Sequence, residues 1–304
     1  MISNQPEMSR DEWLKTRRKG IGGSDAASVM GLNQYTERII LQDGTERIVQ
    51  PYSYIATAYQ IWADKTGIEP RNVPDSLQMA AGRNMEPLIL KQYEEVSGEK
   101  LLPHPAIIRH PDYPFILASL DGVTDSAVIE AKFGKWTPKW GPDGSDLVPL
   151  NYWIQVQHYL LVTGLKIGYL TAMLYGENGL EFKIYNIPAD EEWHENCIKR
   201  YIEFWEAVEA VTPPEPYNLD DVKARFPQSV PLSKKEATLE IMQKLERYRE
   251  IKQEVGDLET ESESLKFEIA RFFEDVEALT FGGKIVSTFK TNKAGRRILN
   301  VKDC

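Results

Sequence analysis

The spacing of apolar and polar residues predicts an ordered series of strands and helices in the first two thirds of the chain. Apolar runs of strand length alternate with segments in which apolar residues recur at intervals of three and four, as on one face of a helix. This mixed order favours an α/β or α+β core, a central mixed sheet flanked by helices. The predicted strands are 115–120, 166–175 and 180–187, and the predicted helices are 76–98, 151–164 and 189–211.

The pattern changes after the proline-rich stretch 213–216, which marks a boundary. In 233–278, apolar residues recur among charged ones at intervals of three, four and seven, typical of a coiled-coil arm or of a helical hairpin that breaks at Gly256-Asp257. The segment 279–304 begins as a small β-hairpin with a Gly-Gly turn and ends in a basic tail. We therefore predict two domains, 1–212 and 213–304, the second being a helical extension that ends in a hairpin.

Composition and charge exclude several classes of protein. The chain has 304 residues, 42% of them hydrophobic, and contains no long uncharged apolar run, so no membrane span is expected. Its polar N-terminus lacks a signal segment, which favours the cytoplasm. Two distant cysteines, Cys197 and Cys304, cannot hold a zinc or iron–sulfur cluster. The net charge of -10 argues against a general nucleic-acid coat protein but allows an enzyme with a locally basic DNA groove.

Two acids and a lysine occur together in the middle of the first domain. The apolar run 115–120 leads into Asp121 and a turn, and the next apolar residues lead into Glu130 and Lys132. Residues two apart in a strand share a face, so Glu130 and Lys132 face one way, with Asp121 opposite if the arms pair. Converging carboxylates require a cation, and oxygen ligands favour Mg²⁺, Mn²⁺ or Ca²⁺. Taken alone, the bare spacing favours an edge hairpin with a surface Glu–Lys cross-strand pair.

A glycine-rich turn near the start of the chain is a candidate anion site. Three glycines in 20–23 precede Ser24, which is a good N-cap for a short helix. Free N–H groups and the helix dipole favour an anion there, and Arg17 is close enough in sequence to bind a phosphate. No lysine follows the glycines, so the turn is not a Walker A loop. A simple capped helix after a flexible turn remains the alternative.

Two predicted helices carry further candidates. Glu86 is followed by Pro87, which predicts a kink or a fresh helix start, and Glu86 itself has the pattern of a surface acid. Gln155 and Tyr159 are four residues apart and therefore share a helix face. His158 is expected on the helix surface and not as a metal ligand.

Taken in order, these residues match a known family. Over roughly 13–211 the chain resembles the lambda-exonuclease-type, YqaJ-like viral recombinase nucleases of the PD-(D/E)xK superfamily. Each motif is weak alone, and their shared order makes the resemblance specific. The matching motifs are Trp13-x(3)-Arg17-x(2)-Gly20-Ile21-Gly22-Gly23-Ser24-Asp25, Gly82-Arg83-Asn84-Met85-Glu86-Pro87, Ser119-Leu120-Asp121-Gly122, Glu130-Ala131-Lys132, and Val148-Pro149 with Tyr152-x(2)-Gln155-Val156-Gln157.

The resemblance implies a restriction-endonuclease-like core and a 5′-to-3′ exonuclease. Such an enzyme digests one strand of linear double-stranded DNA with Mg²⁺, for which Mn²⁺ can substitute, and leaves a 3′ single strand for a single-strand annealing protein. A homo-oligomer in the form of a trimeric ring is implied as well. The expected setting is the cytoplasm of a bacterial host, with a phage or prophage gene and no membrane association.

The resemblance also assigns roles to individual residues. Asp121 and Glu130 would be metal ligands with the Ala131 carbonyl as a third oxygen, and Lys132 would position or activate the attacking water. Glu86 would complete the acidic site, directly or through a water, and Gln155 would reach the site from its helix. Arg17 and Ser24 would bind the 5′ phosphate. The secondary candidates are Gln157, Tyr159 and Asp112.

Other functions remain open at this point. The chain could be another PD-(D/E)xK endonuclease or repair nuclease, although the iron–sulfur members require a cysteine cluster that is missing. It could be a DNA-end-binding protein with a degenerate site, against which the intact Asp121, Glu130 and Lys132 argue. The C-terminal extension could dock the annealing protein, track DNA through the basic stretch 284–302, or serve as an oligomerising appendage.

Overall fold

The computed structural model describes residues 8–40, 44–71, 74–177 and 179–302. The chain divides into two compact units, Met1–Gln228 and Ser229–Cys304, and each is described by itself.

The first unit contains seven helices among the described residues. They are α1 (Arg10–Arg18), α2 (Gly23–Val29), α3 (Ala58–Thr66), α4 (Leu77–Ser97), α5 (Leu150–Thr163), α6 (Glu191–Glu209) and α7 (Leu219–Arg225). Its nine described strands are β1 (Ile21–Gly22), β2 (Glu37–Ile40), β3 (Glu46–Val49), β4 (Ile108–Arg109), β5 (Ile116–Ala118), β6 (Gly122–Val123), β7 (Ala127–Lys135), β8 (Ile167–Gly176) and β9 (Gly179–Pro188).

The unit is built on a mixed four-stranded sheet in the order β6-β7-β8-β9. Strands β7 and β8 run parallel, which requires a crossover, and α5 provides it; the other pairs are antiparallel. A smaller sheet has the order β1-β5-β4, and β2 pairs with β3. Helices α2, α3, α5 and α6 contribute buried apolar residues to one core with these sheets. The predicted mixed α/β core with flanking helices is confirmed.

The first unit extends beyond the predicted boundary at residue 212. Helix α7 is tied to the core because Thr57 Oγ1 donates a buried hydrogen bond to Asp221 Oδ1 at 2.9 Å. The Asp221 Oδ2 atom also accepts from the Tyr217 backbone N–H at 3.0 Å. These contacts attach the residues just after the prolines to the first unit.

The central hairpin has a different first arm from the predicted one. The apolar run 115–120 forms β5, which pairs with β1 and β4 in the smaller sheet. The partner of β7 is the two-residue strand β6, with Gly122 opposite Ile129. One step along this antiparallel register, Asp121 lies opposite Glu130, so the expected juxtaposition of the two acids is confirmed although the strand that delivers Asp121 is shorter.

Helix α4 runs through Pro87 as one helix of 21 residues, so the predicted fresh start does not occur. Ser76 caps its N-terminus by accepting from the Met79 N–H at 3.2 Å, and Gly98 ends it in the left-handed conformation. The helix buries Ile89 and Tyr93 beside β7 and leaves Glu86 half-buried.

His158 is buried, so its expected place on the helix surface is wrong. Its ring nitrogens lie 3.0 Å from the Tyr201 hydroxyl and 2.9 Å from the Leu117 carbonyl oxygen. Burial lowers the pKa of His158 to about 4, although the Leu117 carbonyl opposes this shift. The Asp25 carboxylate also favours the charged ring, whereas His194 and His110 disfavour it. His158 is therefore a neutral link between α5, β5 and α6.

This histidine should make the stability of the first unit fall in mild acid. The folded pKa of about 4 lies below the ordinary value of 6.5, so the unfolded chain binds more protons between these pH values. Stability contributed by neutral His158 is present above pH 6.5 and is lost as the pH falls, by about 2 kcal/mol at pH 5.

Denaturant unfolding at pH 7 and pH 5 tests this expectation. His158→Gln should show a smaller loss between the two pH values than the wild type, whereas His104→Gln, at a half-buried ring outside the core, should behave like the wild type. Equal pH dependence in all three proteins would contradict it.

The second unit consists of one long helix and three strands among its described residues: α8 (Leu239–Phe273), β10 (Ala278–Phe281), β11 (Lys284–Thr291) and β12 (Arg297–Val301). The helix passes through Gly256 without a break. The expected helical arm and terminal hairpin are confirmed, and part of the predicted basic tail forms a third strand, giving the order β10-β11-β12. Phe273 is buried, with its ring 5.6 Å from that of Phe289.

No helix in the described part of the chain is both long enough and apolar enough to span a membrane.

Candidate active site

A cavity of about 430 Å³ lies where the first unit brings together α1, α2, α4, α5 and the β6–β7 hairpin. The structure gathers nine of the eleven predicted site residues around it. They are Arg17, Ser24, Glu86, Asp121, Glu130, Ala131, Lys132, Gln155 and Tyr159.

The two acids and the lysine meet at the β6–β7 hairpin. The Ala131 backbone N–H donates to Asp121 Oδ2 at 2.8 Å, and Lys132 Nζ donates to Glu130 Oε1. Glu130 is 2% exposed, whereas about a fifth of the Lys132 side chain is exposed. The hairpin thus presents one buried acid, one partly buried acid and one ammonium group to the cavity.

The backbone of β7 adds an oxygen to this group. In an extended strand the N–H and C=O of one residue point to the same edge. The Ala131 N–H points to the Asp121 side, so its carbonyl does as well, whereas the Glu130 carbonyl accepts from Thr171 Oγ1 at 3.3 Å on the opposite edge. The Ala131 carbonyl therefore faces the same edge as Asp121.

The electrostatics of this group show an excess of negative charge. Burial, and next the Asp121 carboxylate, raise the pKa of Glu130 to about 8. The same two causes raise the pKa of Glu86 on α4, while Lys132 opposes the shift. Burial alone would lower the pKa of Lys132, but Glu130 and Asp121 raise it, so the ammonium stays charged. One lysine does not neutralise three acids.

The donor set fits a hard divalent cation. Glu130 Oε2 is buried and has no hydrogen-bond partner, which is costly for a carboxylate unless a cation or water binds it. Carboxylate and carbonyl oxygens are the ligands that Mg²⁺ prefers. Among the described residues, no three His, Cys, Asp or Glu side chains converge as a ready ligand shell. The fit therefore rests on Asp121, Glu130 and the Ala131 carbonyl, and Glu86 lines the same cavity.

Arg17 and Ser24 occupy the other part of the cavity lining. The Arg17 guanidinium donates to Ser24 Oγ and lies over the Trp13 ring, 4.6 Å from its centroid. Ser24 is not the N-cap of α2 as predicted; Gly22 holds that position, and Ser24 is the second helical residue with an exposed side chain. A stacked guanidinium beside an exposed hydroxyl is suited to bind a phosphate.

A buried ion pair that the sequence reasoning missed holds the glycine turn in place. Lys65 Nζ on α3 donates to Asp25 Oδ2 at 2.7 Å and to the Arg17 carbonyl at 3.0 Å. Burial alone would raise the pKa of Asp25, but Lys65 and Arg17, with a hydrogen bond from the Gly22 N–H, hold it below its usual value. Lys65 stands in the last turn of a helix, where a lysine ordinarily interacts with the dipole, so its sequence gives no sign of burial.

Gln155 and Tyr159 share a face of α5, as predicted, and both line the cavity. Gln155 Nε2 donates to the Tyr159 hydroxyl at 2.9 Å. The Tyr159 ring lies so close to the glycine turn that a Cβ atom on Gly23 would be 2.5 Å from it. Glycine at position 23 therefore allows α5 and α2 to pack together at the cavity.

Two secondary candidates lie elsewhere. Gln157 is fully buried on another side of α5, where it donates to the Pro188 carbonyl at 2.7 Å and accepts from the Asp190 N–H at 3.0 Å. Asp112 is exposed in the turn between β4 and β5, where its N–H donates to His110 Nδ1. Gln157 is two residues from Gln155, and such residues do not share a helix face. Neither residue lines the cavity.

Asp121, Glu130 and Lys132 form an acid–lysine hairpin, and Arg17 and Ser24 form an arginine–serine pocket, around one cavity. This arrangement on a mixed α/β core defines a candidate phosphate-handling site. Comparison with known proteins gives its family. The YqaJ-like viral recombinase domain matches residues 12–166. The uncharacterized protein YqaJ of Bacillus subtilis (strain 168) is 31% identical over 291 residues, which cover 91% of this chain and 82% of that protein. The chain belongs to the YqaJ-like viral recombinase family.

Two solved structures are similar at low sequence identity. An alkaline exonuclease (LHK-Exo) from Laribacter hongkongensis is 18% identical with a TM-score of 0.48, over 66% of this chain and 94% of that one. A phage related exonuclease from Haemophilus somnus 129PT is 12% identical with a TM-score of 0.45, over 63% of this chain and 94% of that one.

Proposed function

We propose that this protein is a metal-dependent 5′-to-3′ exonuclease. It digests one strand of linear double-stranded DNA and exposes a 3′ single strand for an annealing protein in phage-type homologous recombination. The observation that carries the proposal is the convergence of Asp121, Glu130 and Lys132 with Arg17 and Ser24 on one cavity. Membership of a viral recombinase family supports it.

Asp121, Glu130 and the Ala131 carbonyl would hold the cation, Mg²⁺ or in its place Mn²⁺. When bound, it supplies positive charge at the scissile phosphate and lowers the pKa of a coordinated water. Lys132 Nζ, held by Glu130, can hydrogen-bond the attacking water or a phosphate oxygen. Glu86 lines the same cavity and would complete the acidic site, directly or through a water.

Arg17 and Ser24 would select and fix the end of the strand. A terminal 5′ phosphate has free oxygens that can accept from the guanidinium and the Ser24 hydroxyl. Fixing that phosphate would place the next phosphodiester bond over Asp121, Glu130 and Lys132. The reacting atoms would then be held in position before reaction. Gln155, tied to Tyr159, reaches the cavity from α5 and would hydrogen-bond the substrate beside the scissile bond.

Removal of the Asp121 carboxylate should abolish digestion. Metal ligation supplies several kcal/mol at the transition state, so Asp121→Ala should slow digestion of linear duplex DNA with Mg²⁺ by about a thousandfold or more. The matched control is Asp125→Ala, which removes an exposed acid from the turn of the same hairpin. Gel-based measurement of single-strand loss compares the variants. Undiminished digestion by Asp121→Ala would overturn the assigned metal site.

The chemistry of the DNA ends tests direction and class. Duplexes with a 5′-phosphate should be digested faster than the same duplexes with a 5′-hydroxyl, and the preference should vanish in Arg17→Gln. Equal rates for both ends in the wild type would remove Arg17 and Ser24 from the pocket. Cutting of a nick-free circular duplex would instead indicate an endonuclease.

A further inference from the structure

The last two strands of the chain, β11 and β12, and the turn between them are strongly basic, in contrast to the rest of the protein. The stretch 284–302 contains six Lys and Arg and no Asp or Glu, whereas the whole chain has a net charge of -10. Helix α8 in the same unit has the opposite character, with five acids and no Lys or Arg between Lys252 and Lys266. The second unit is therefore divided into an acidic helix segment and a basic sheet.

One arginine of this stretch has a structural role. Arg297 Nε donates to the Phe289 carbonyl at 3.1 Å, and its Nη atoms donate to the carbonyls of Glu274 and Val276. Its guanidinium also lies 4.1 Å from the centroid of the Phe289 ring. Arg297 thus joins the sheet to the end of α8. Among the described residues, the exposed Lys284, Lys290, Lys293 and Arg296 make no ion pair; Lys302 is exposed too.

The two faces of the sheet differ. Phe289 and its opposite partner Leu299 lie on the face that packs beside α8, where Leu258 and Ile269 line a shared groove. Strand alternation places the neighbouring positions on the other face. That outer face has Thr288 opposite Asn300 and Lys290 opposite Ile298.

We name the polar residues of the outer face and the adjoining turn the basic face: Thr288, Lys290, Lys293, Arg296, Asn300 and Lys302. The apolar Ile298 lies on the outer face beside Lys290. The Thr288 hydroxyl and the Asn300 amide lie at its centre, and Lys290 and Lys302 lie toward its two ends, about 13 Å apart along the strands. Lys293 and Arg296 extend one end through the β11–β12 turn. Every polar group in the set can donate a hydrogen bond, and none is acidic.

We propose that the basic face binds the phosphate backbone of duplex DNA, as a second DNA contact separate from the catalytic cavity. Lysine, arginine, threonine and asparagine are the side chains that contact phosphates without reading sequence. Protein interfaces, by contrast, are depleted in lysine and enriched in aromatic residues, and the basic face contains no aromatic residue. The inference rests on the proposed function only in its choice of DNA as the polyanion.

Binding to a duplex without free ends measures the contribution of the basic face, because the proposed 5′-phosphate pocket then has no strand end to bind. The probe is a fluorescent dumbbell duplex whose ends are closed by hairpin loops, bound by the full-length Asp121→Ala protein in buffer without divalent cations. The test variant adds Lys290→Gln, Lys293→Gln and Arg296→Gln. The matched control adds Lys244→Gln, Arg247→Gln and Lys252→Gln, an equal change of charge on exposed positions of α8.

Fluorescence anisotropy across a salt series should separate the two variants. Each phosphate contact contributes about 0.9 to the slope of log K against log salt, so the test variant should lose about 2 to 3 units of slope and bind at least about tenfold more weakly at 0.1 M salt. The control should bind nearly as the parent does. Identical slopes for all three proteins would overturn the proposal.

Sedimentation of the same proteins decides between DNA and a second copy of the chain. Salt-sensitive self-association that is lost in the test variant, with DNA binding unchanged, would assign the basic face to the acidic segment of another α8 and overturn the DNA contact. Digestion assays with the catalytically intact protein keep the two proposals distinguishable. A protein that binds dumbbell DNA through the basic face but digests no linear DNA would sink the exonuclease and leave the basic face standing.

Discussion

Lys132→Met should lower the rate of DNA digestion by about two to four orders of magnitude, the range expected for a group that positions or protonates at the reacting centre. Methionine retains most of the length of the side chain and removes its charge. The ammonium group is held by Glu130 and faces the cavity, so its loss removes the one cation that β7 supplies there. Glu130 would then be a buried carboxyl group without its partner.

The control for this variant is Lys135→Met, an exposed lysine three residues further along the same strand. It should digest DNA at the wild-type rate. Single-turnover digestion of a 5′-phosphorylated duplex, with circular dichroism to verify folding, measures both variants. Wild-type digestion by Lys132→Met would remove the lysine from the chemical step and leave it a purely structural partner of Glu130.

Lys65→Met should destabilise the first unit by about 3–5 kcal/mol, the cost of leaving one member of a buried ion pair without its partner. The Lys65 side chain is 3% exposed and that of Asp25 is 10% exposed, so water cannot replace the lost ammonium. Loss of the bond to the Arg17 carbonyl would loosen the glycine turn as well.

Equilibrium unfolding in urea measures this loss, and a double variant locates its cause. Because the cost arises from the uncompensated carboxylate, Asp25→Ala combined with Lys65→Met should be more stable than Lys65→Met alone. Lys91→Met is the matched control, since it breaks a surface pair with Glu95 on α4 and should cost less than about 1 kcal/mol. A double variant as unstable as the sum of the two single ones would show that Asp25 and Lys65 act independently.

The sequence predicted the parts of the structure that depend on local spacing. Alternation along β7 placed Glu130 and Lys132 on one face, and the helical repeat placed Gln155 beside Tyr159; both arrangements are present. Asp121 lies opposite β7, as expected, because it directly precedes β6, the short strand that pairs with β7. The role assigned to each of these residues in DNA digestion is still a prediction.

Features set by distant packing could not be predicted. The sequence around Lys65 does not indicate its ion pair with Asp25. The sequence around His158 likewise does not indicate that its ring contacts the Tyr201 hydroxyl and the Leu117 carbonyl. The sequence pattern made Gln157 a candidate site residue as well. Its hydrogen-bond partners, the Pro188 carbonyl and the Asp190 N–H, lie about thirty residues further along the chain, so the local pattern could not reveal them. The first arm of the hairpin was misassigned since an apolar run does not specify which sheet it joins.

The parallel pair β1–β5 has a consequence for the order in which the cavity is assembled. Ile21 pairs with Ile116, about a hundred residues away, whereas β6 and β7 are joined by a turn of three residues. Closing a long loop has a larger entropic cost than closing a short one, and non-local contacts form later in folding. The pairing of β6 with β7 therefore needs only neighbouring residues, whereas Arg17 and Ser24 are brought to it by a contact that closes a loop of about a hundred residues. In a nascent chain, the proposed metal-binding hairpin would pair before the proposed 5′-phosphate pocket is closed onto it.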